Sequence, residues 1–218
     1  MKSTRLITLV LVFAITAYPP SASAKRDELV FDSDGEPITI GASYYLAPVG
    51  RYGGGIERTA TGNETCPLTV VQSPYDYSPG SPIRFSSPNK ATYNIHEGAS
   101  LDVGFECVPW CAPTPSKFTI VRGDDQQGEQ FSVKLSGSSE NTVSGSFSFQ
   151  SANYYGLGLK LKSWRRYAYT LVFCTDDGTC RGVGIYADRY GNLRLVLTQR
   201  DPVVLQIRSV TPYAAASA

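Results

Sequence analysis

Five cysteines (Cys66, Cys107, Cys111, Cys174 and Cys180), a lone histidine (His96) and Lys90 have the types and settings for site chemistry. Thiols either ligate metal or pair with one another. A zinc site needs thiolates and imidazoles at close spacing, and a chain with one histidine and no paired C-x-x-C matches it poorly. No metal and no cofactor is expected. Pairing suits the pattern better: Cys174 and Cys180 bracket CTDDGTC, a tight polar turn that a disulfide can close. An odd count leaves one thiol over. A Ser-His-Asp triad would have to use His96, and no nucleophile-elbow motif accompanies it, so a surface or loop histidine is the better reading and catalysis is not expected.

Lys90 lies in SSPNKATYNIHEG, residues 86–98. Pro88 fixes its own φ and biases Ser87 towards an extended backbone, and small residues, Ala91 and Thr92, follow the lysine. Most lysines are simply solvated, and on composition alone this one is no different. What sets it apart is a stiffened approach on one side and small neighbours on the other.

The elements that must position such a loop are strands. SYYLAPV, CPLTVVQ, SLDVGFE, KFTIVRG, FSVKL, GSFSF, LGLKLKS, YTLVFC, GVGIYAD, LRLVLTQ and VVLQIRSV are short, β-branched and aromatic, and several alternate with period two. Turn sequences such as GDDQQG, DDG and RYGN separate them. About a dozen strands and no sustained helical period predict an all-β domain, either a sandwich or a barrel-like fold.

Residues 1–24 have the form of a signal peptide. Lys2 and Arg5 precede a 13-residue mostly apolar run, too short to span a bilayer, and Ala22-Ser23-Ala24 offers an A-x-A cleavage site. The folded domain is then expected over 25–210, with 211–218 a frayed, low-complexity tail. Export also favours disulfides and makes Asn63, in the sequon Asn63-Glu64-Thr65, a candidate for glycosylation. Removing residues 1–24 lowers Lys plus Arg from 20 to 18 against 19 Asp plus Glu, so the net charge moves from +1 to −1. A near-neutral chain gives no electrostatic reason to bind nucleic acid or a membrane surface.

From Val30 the chain reads VFDSDGEPITIGASYYL. Asp32, Gly35, Glu36, Ile38, Tyr44 and Leu46 fall where the N-terminal signature of the soybean-type Kunitz protease inhibitors places them. TGNETCPLTVVQSP, YTLVFC and GIYADRYGNLRLVLT extend the resemblance over roughly residues 29–208. The chain therefore resembles that family, which implies a single β-trefoil domain of about twelve strands acting as a monomer. The resemblance also implies the disulfides Cys66–Cys111 and Cys174–Cys180, leaving Cys107 free, with a rearranged pairing through Cys107 as the alternative.

In that family a loop after the first cysteine presents a peptide bond to a serine protease. The resemblance places the loop at Pro88, Asn89, Lys90, Ala91 and Thr92, with Lys90 as the residue filling the specificity pocket (P1) and Ala91 following the bond (P1′). Lys90 is 24 residues after Cys66, the family's spacing. The implied partner is a protease of trypsin-like specificity, and the implied destination is the cell exterior or the vacuole. Two departures stand out. The position at which trypsin-inhibiting members carry a loop-bracing asparagine is Ile40, which leaves Asn89 or Asn94 as possible braces. ATYNIHEG is also one residue longer than in the soybean archetype.

Ile40 motivates a second expectation, a trefoil that has kept its fold as a storage, stress or binding protein without inhibition. A third is inhibition of another hydrolase class (subtilisin, cysteine or aspartic protease, or amylase) through a different loop. Arg84 and the pair Arg165-Arg166 are rival basic candidates, expected in a strand and a solvated turn. Arg122-Gly123-Asp124 reads as a hairpin tip rather than an adhesion motif. Trp110 and Trp164 are expected to pack in the core or in loops, since no repeated Gln-x-Trp motif accompanies them.

Overall fold

Alternation sets the strands. In Ile83–Ser86 the buried Ile83 and Phe85 alternate with exposed Arg84 and Ser86, and in Asp102–Phe105 Val103 and Phe105 are buried. The computed structural model describes residues 28–50, 52–88, 93–123, 131–135, 141–152 and 167–210. Among them are thirteen strands and no helix. In chain order these are β1 (Ser43–Pro48), β2 (Ile56–Thr59), β3 (Thr69–Gln72), β4 (Ile83–Ser86), β5 (Asp102–Phe105), β6 (Phe118–Arg122) and β7 (Phe131–Leu135). β8 (Thr142–Val143), β9 (Gly145–Ser151), β10 (Tyr169–Thr175), β11 (Cys180–Ala187), β12 (Leu193–Thr198) and β13 (Val204–Ser209) follow.

The described residues thus hold thirteen strands where about twelve were expected, β8 being only two residues long. β4 is the strand expected around Arg84, whereas the short β2 and β8 match no segment of strand-like sequence pattern. LGLKLKS lies outside the described residues.

Every pairing is antiparallel, in the order β5-β4-β1-β13-β10-β11-β12-β3-β7-β6-β8, with β2 on β3, β9 on β10 and a further β12–β7 contact. The first and last strands lie side by side, with Tyr44 opposite Ser209 and Pro48 opposite Leu205.

Their inward faces meet in one core. Two aromatic runs cross it, mostly edge to face: Phe105–Phe118–Phe147–Phe173, and Tyr44–Phe85–Phe149–Tyr169. Each such pair contributes about 0.5–1.5 kcal/mol beyond area burial. Tyr44 and Tyr169 end the second run with hydroxyls that need partners. Tyr44 accepts from the Thr39 N–H at 2.9 Å, and Tyr169 accepts from the Phe31 N–H at 2.9 Å. Burial pushes the Tyr169 phenol up to about 12 despite the Phe31 bond.

Cys66 is bonded to Cys111 and Cys174 to Cys180, while Cys107 is a free, exposed thiol. The first bridge ties the approach to β3 to the β5–β6 connection and encloses 45 residues of separation, including the Lys90 loop. The second closes the β10–β11 hairpin, where the two cysteines already face each other. Trp110 departs from the expected packing: it is 98% exposed, beside a partly exposed Val108. Trp164 lies outside the described residues.

Candidate functional site

β4 delivers the chain to the loop and the segment 93–97 takes it away. Pro88 and Tyr93 are described, whereas Asn89, Lys90, Ala91 and Thr92 lie outside the described residues. The site is therefore built from its two ends and from what holds them.

Both ends are held by one short piece of backbone. At the near end, the Gly41 N–H donates to the Phe85 carbonyl at 3.1 Å. At the far end, the Ile40 N–H donates to the Tyr93 carbonyl at 2.9 Å, Thr39 bridges Asn94, and the Ile95 N–H donates to the Ile38 carbonyl at 3.0 Å. Consecutive amides, those of residues 40 and 41, thus hold positions 93 and 85. Nine residues of chain, 85 through 93, are closed across a single peptide unit.

Further bonds back up each end. β4 pairs with β5 on one side, Phe85 opposite Val103 and Ser86 opposite Asp102, and with β1 on the other. Beyond the loop, the Val30 N–H donates to Ile95 and the Glu97 N–H to Glu28.

Gly41 is needed for this arrangement. Its φ is +84°, in the left-handed region that costs a residue with a Cβ about 1–2 kcal/mol. No atom lies within 4 Å of where that Cβ would sit, so the constraint is purely conformational.

The position read as lacking a brace now has a different aspect. The side chain of Ile40 cannot hydrogen-bond, but it packs against the core and lines a cleft of about 350 Å³ with Phe85, Ser86 and Val103. Its contribution to the loop is its backbone N–H, which any residue but proline supplies. Of the two braces expected instead, Asn94 contributes a backbone bridge to Thr39, and Asn89 lies outside the described residues.

The rival basic residues separate. Arg84 sits in β4 bonded to Ser43 and to Glu106, its guanidinium engaged as part of the sheet surface. Arg165 and Arg166 lie outside the described residues. Arg122 ends β6, which pairs with β7 across the connection that holds Asp124, itself outside the described residues. His96 forms an isolated bridge with Leu29. Among the described residues no cluster of His, Cys, Asp or Glu could hold a metal ion.

Tyr93 was missed in the sequence. It is 73% exposed at the far end of the loop, three residues past Lys90. An aromatic in an otherwise polar stretch was the available signal.

Asn63 is exposed on a turn that its neighbour Glu64 secures. Glu64 accepts from the Thr61 N–H and from Thr69, and pairs with Lys134 at 2.5 Å. Burial works to raise the Glu64 carboxyl pKa, but the Lys134, Thr61 and Thr69 bonds outweigh it and hold the group below its ordinary value.

A pinned loop on an all-antiparallel scaffold with two disulfides has counterparts of known kind. The family model described as trypsin and protease inhibitor, of the legume Kunitz type, matches residues 30–208. The chain belongs to that family. Its fold is the β-trefoil, as expected from the residue signature, and the family is one of inhibitors rather than enzymes.

A trypsin inhibitor 1B of Psophocarpus tetragonolobus is 40% identical over 185 residues, which is 84% of this chain and 98% of the relative. A Kunitz-type trypsin inhibitor of Glycine max is 39% identical over 217 residues, covering 95% and 97%. Among solved structures, soybean trypsin inhibitor in complex with porcine pancreatic trypsin superposes with a TM-score of 0.70 at 31% identity. That match covers 84% of this chain and 99% of the other.

Proposed function

We propose that this Kunitz protein inhibits serine endopeptidases of trypsin-like specificity by offering Lys90-Ala91 as a substrate-like bond. The observation that carries the reading is the double clamp: neighbouring amides at residues 40 and 41 hold both ends of the loop. A loop already held in place loses little entropy on docking, so its binding energy is kept for the complex. Hydrolysis would add water across the bond, leaving a carboxylate on Lys90 and an amine on Ala91. The clamp lies outside the cut, at Phe85 and Tyr93, so both new ends stay close and resealing competes with release.

In this reading Lys90 pairs with an acidic group at the base of the protease pocket, and Ala91 and Thr92 pass beneath its nucleophile. Pro88 and Asn89 form the approach, and Tyr93 supplies an aromatic contact at the rim. Trypsin titration with the purified protein and with Lys90→Ala tests it. The wild type should inhibit at stoichiometric concentration, and the variant should bind at least about a thousandfold more weakly, the scale of a dominant interface residue. Equal inhibition by both, or none by the wild type, rejects the assignment.

The protein acts as a monomer after passage through the secretory pathway, outside the cell or in the vacuole. Residues 1–24 are removed and 25–210 form the domain, while 1–27 and 211–218 lie outside the described residues. Asn63, the exposed first residue of its sequon, carries a glycan on this route. N-terminal sequencing and mass measurement of the mature protein test these statements together.

A further inference from the structure

The clamp at residues 38–41 must itself be held. Ile40 donates to the far end of the loop and Gly41 to the near end, so any drift of this segment releases both. What fixes it from within the core is Tyr44. Its hydroxyl accepts the Thr39 N–H at 2.9 Å and lies 3.4 Å from the Thr39 hydroxyl. Its ring packs on Phe85 with centroids 5.8 Å apart, and its backbone pairs with Ile83 of β4. Tyr44 is 5% exposed, so water does not compete freely for that hydroxyl. One side chain therefore touches the residue that bridges Asn94 and the residue whose carbonyl Gly41 holds.

We propose that Tyr44 is a positioning residue for inhibition, its hydroxyl setting the clamp that keeps the Lys90-Ala91 bond poorly cleavable. The inference rests on the reading above. It assigns to a buried phenol and a backbone segment the bracing that the side chain of Ile40 cannot give. Tyr44 touches no reacting atom and acts only through residues 39–41.

The fold contains its own control. Tyr169 is equally buried and its hydroxyl also accepts a backbone N–H at 2.9 Å, but from Phe31, on the outer arm of the hairpin whose other arm leads through Pro37 and Ile38 into the clamp, so that it touches none of residues 39–41. Tyr44→Phe and Tyr169→Phe each remove one oxygen and leave the ring in place. A merely structural role predicts the same behaviour from both.

The test incubates each full-length mature protein with catalytic trypsin, well below every variant's melting temperature, and follows appearance of the chain beginning at Ala91. Tyr44→Phe should be cut about 10-fold faster than wild type, the ratio that one hydrogen bond of ordinary net strength carries. Tyr169→Phe should be cut at the wild-type rate. Amide hydrogen exchange, which needs no protease, should show the Ile40 and Gly41 N–H groups exchanging about 10-fold faster in Tyr44→Phe alone. Equal cleavage and exchange in all three proteins overturns the positioning role while leaving inhibition intact. Equal acceleration in both variants overturns it in favour of general softening. A wild type that does not inhibit, or is cut elsewhere, overturns the functional reading and this role with it. Faster exchange in Tyr44→Phe would in that case still establish the clamp.

Discussion

The β11–β12 turn and the β4–β5 loop are steadied by opposite means. The turn bonds to itself. Asp188 accepts the Tyr190 and Asn192 N–H groups on one oxygen and the Asn192 side-chain amide on the other. Gly191 and Asn192 close further bonds back to the Asp188 backbone. Asp32 and Asp177 secure their own turns in the same way. The loop instead has its ends pinned by a separate segment, residues 38–41, which Tyr44 fixes from below. A turn that spends its amides and carbonyls internally has none left for a partner. A loop that is to lie in a protease's cleft, as proposed for this one, needs those groups available, and so must draw its rigidity from elsewhere in the chain.

The sharpest way to break the contrast is to cut the bridges. For a ring of 45 residues the chain-entropy estimate is about 4 kcal/mol, and for one of six about 2 kcal/mol. Paired serine substitution of Cys66 and Cys111 should therefore cost about twice as much in urea unfolding as that of Cys174 and Cys180. Only the former pair encloses the loop proposed to meet the protease, so on that proposal only its loss should also weaken trypsin binding.

Gly41→Ala should cost about 1–2 kcal/mol from its positive φ and speed cleavage at Lys90. The same exchange at Gly191, whose φ is also +84°, should cost a similar amount and leave inhibition alone. Tyr93→Ala should leave stability unchanged and weaken the trypsin complex by about 1–2 kcal/mol, read by competition titration.

Acid separates the two regions by charge. Burial works to raise the Asp188 carboxyl pKa, but the Asn192 and Tyr190 bonds and the Arg194 charge outweigh it and hold it below its ordinary value. Such a group adds stability above the unfolded carboxylate pKa of about 3.9, lost as pH falls through the lower native value. The urea midpoint should fall below pH 4, and Asp188→Asn should flatten part of that fall. The smallest effect is expected at the exposed Cys107, where Cys107→Ser should change stability by under about 0.5 kcal/mol and inhibition not at all.

The strands with a strong alternating or β-branched pattern, such as β1, β7, β10 and β12, were legible because inward side chains carry the signal. β2 (IERT) was not, since four residues that are mostly polar fit a turn equally well, and β4 (IRFS) was legible only as the strand-like setting of Arg84. The disulfides were readable through resemblance. The clamp was not. A backbone N–H is the same in Ile40 as in asparagine, so the residue that looked like a missing brace supplies a bond its letter cannot announce. Tyr44 was visible as a signature position, but its hydroxyl's target, five residues upstream, follows only from the fold. Trp110 shows the converse, since a large apolar residue in a proline-rich stretch carries no sign of which way it faces.

The adjacency of the first and last strands has a consequence in time. Tyr44 sits on β1, opposite Ser209, and the Ser33 N–H waits for the carbonyl of Ile207. On a ribosome those partners emerge about 165 residues after Tyr44, as the final strand of the domain. Such distant pairings form late and slowly. The inhibitor thus comes into being as an inhibitor only when its last strand is laid down. Until then Lys90 belongs to a chain that a protease can digest.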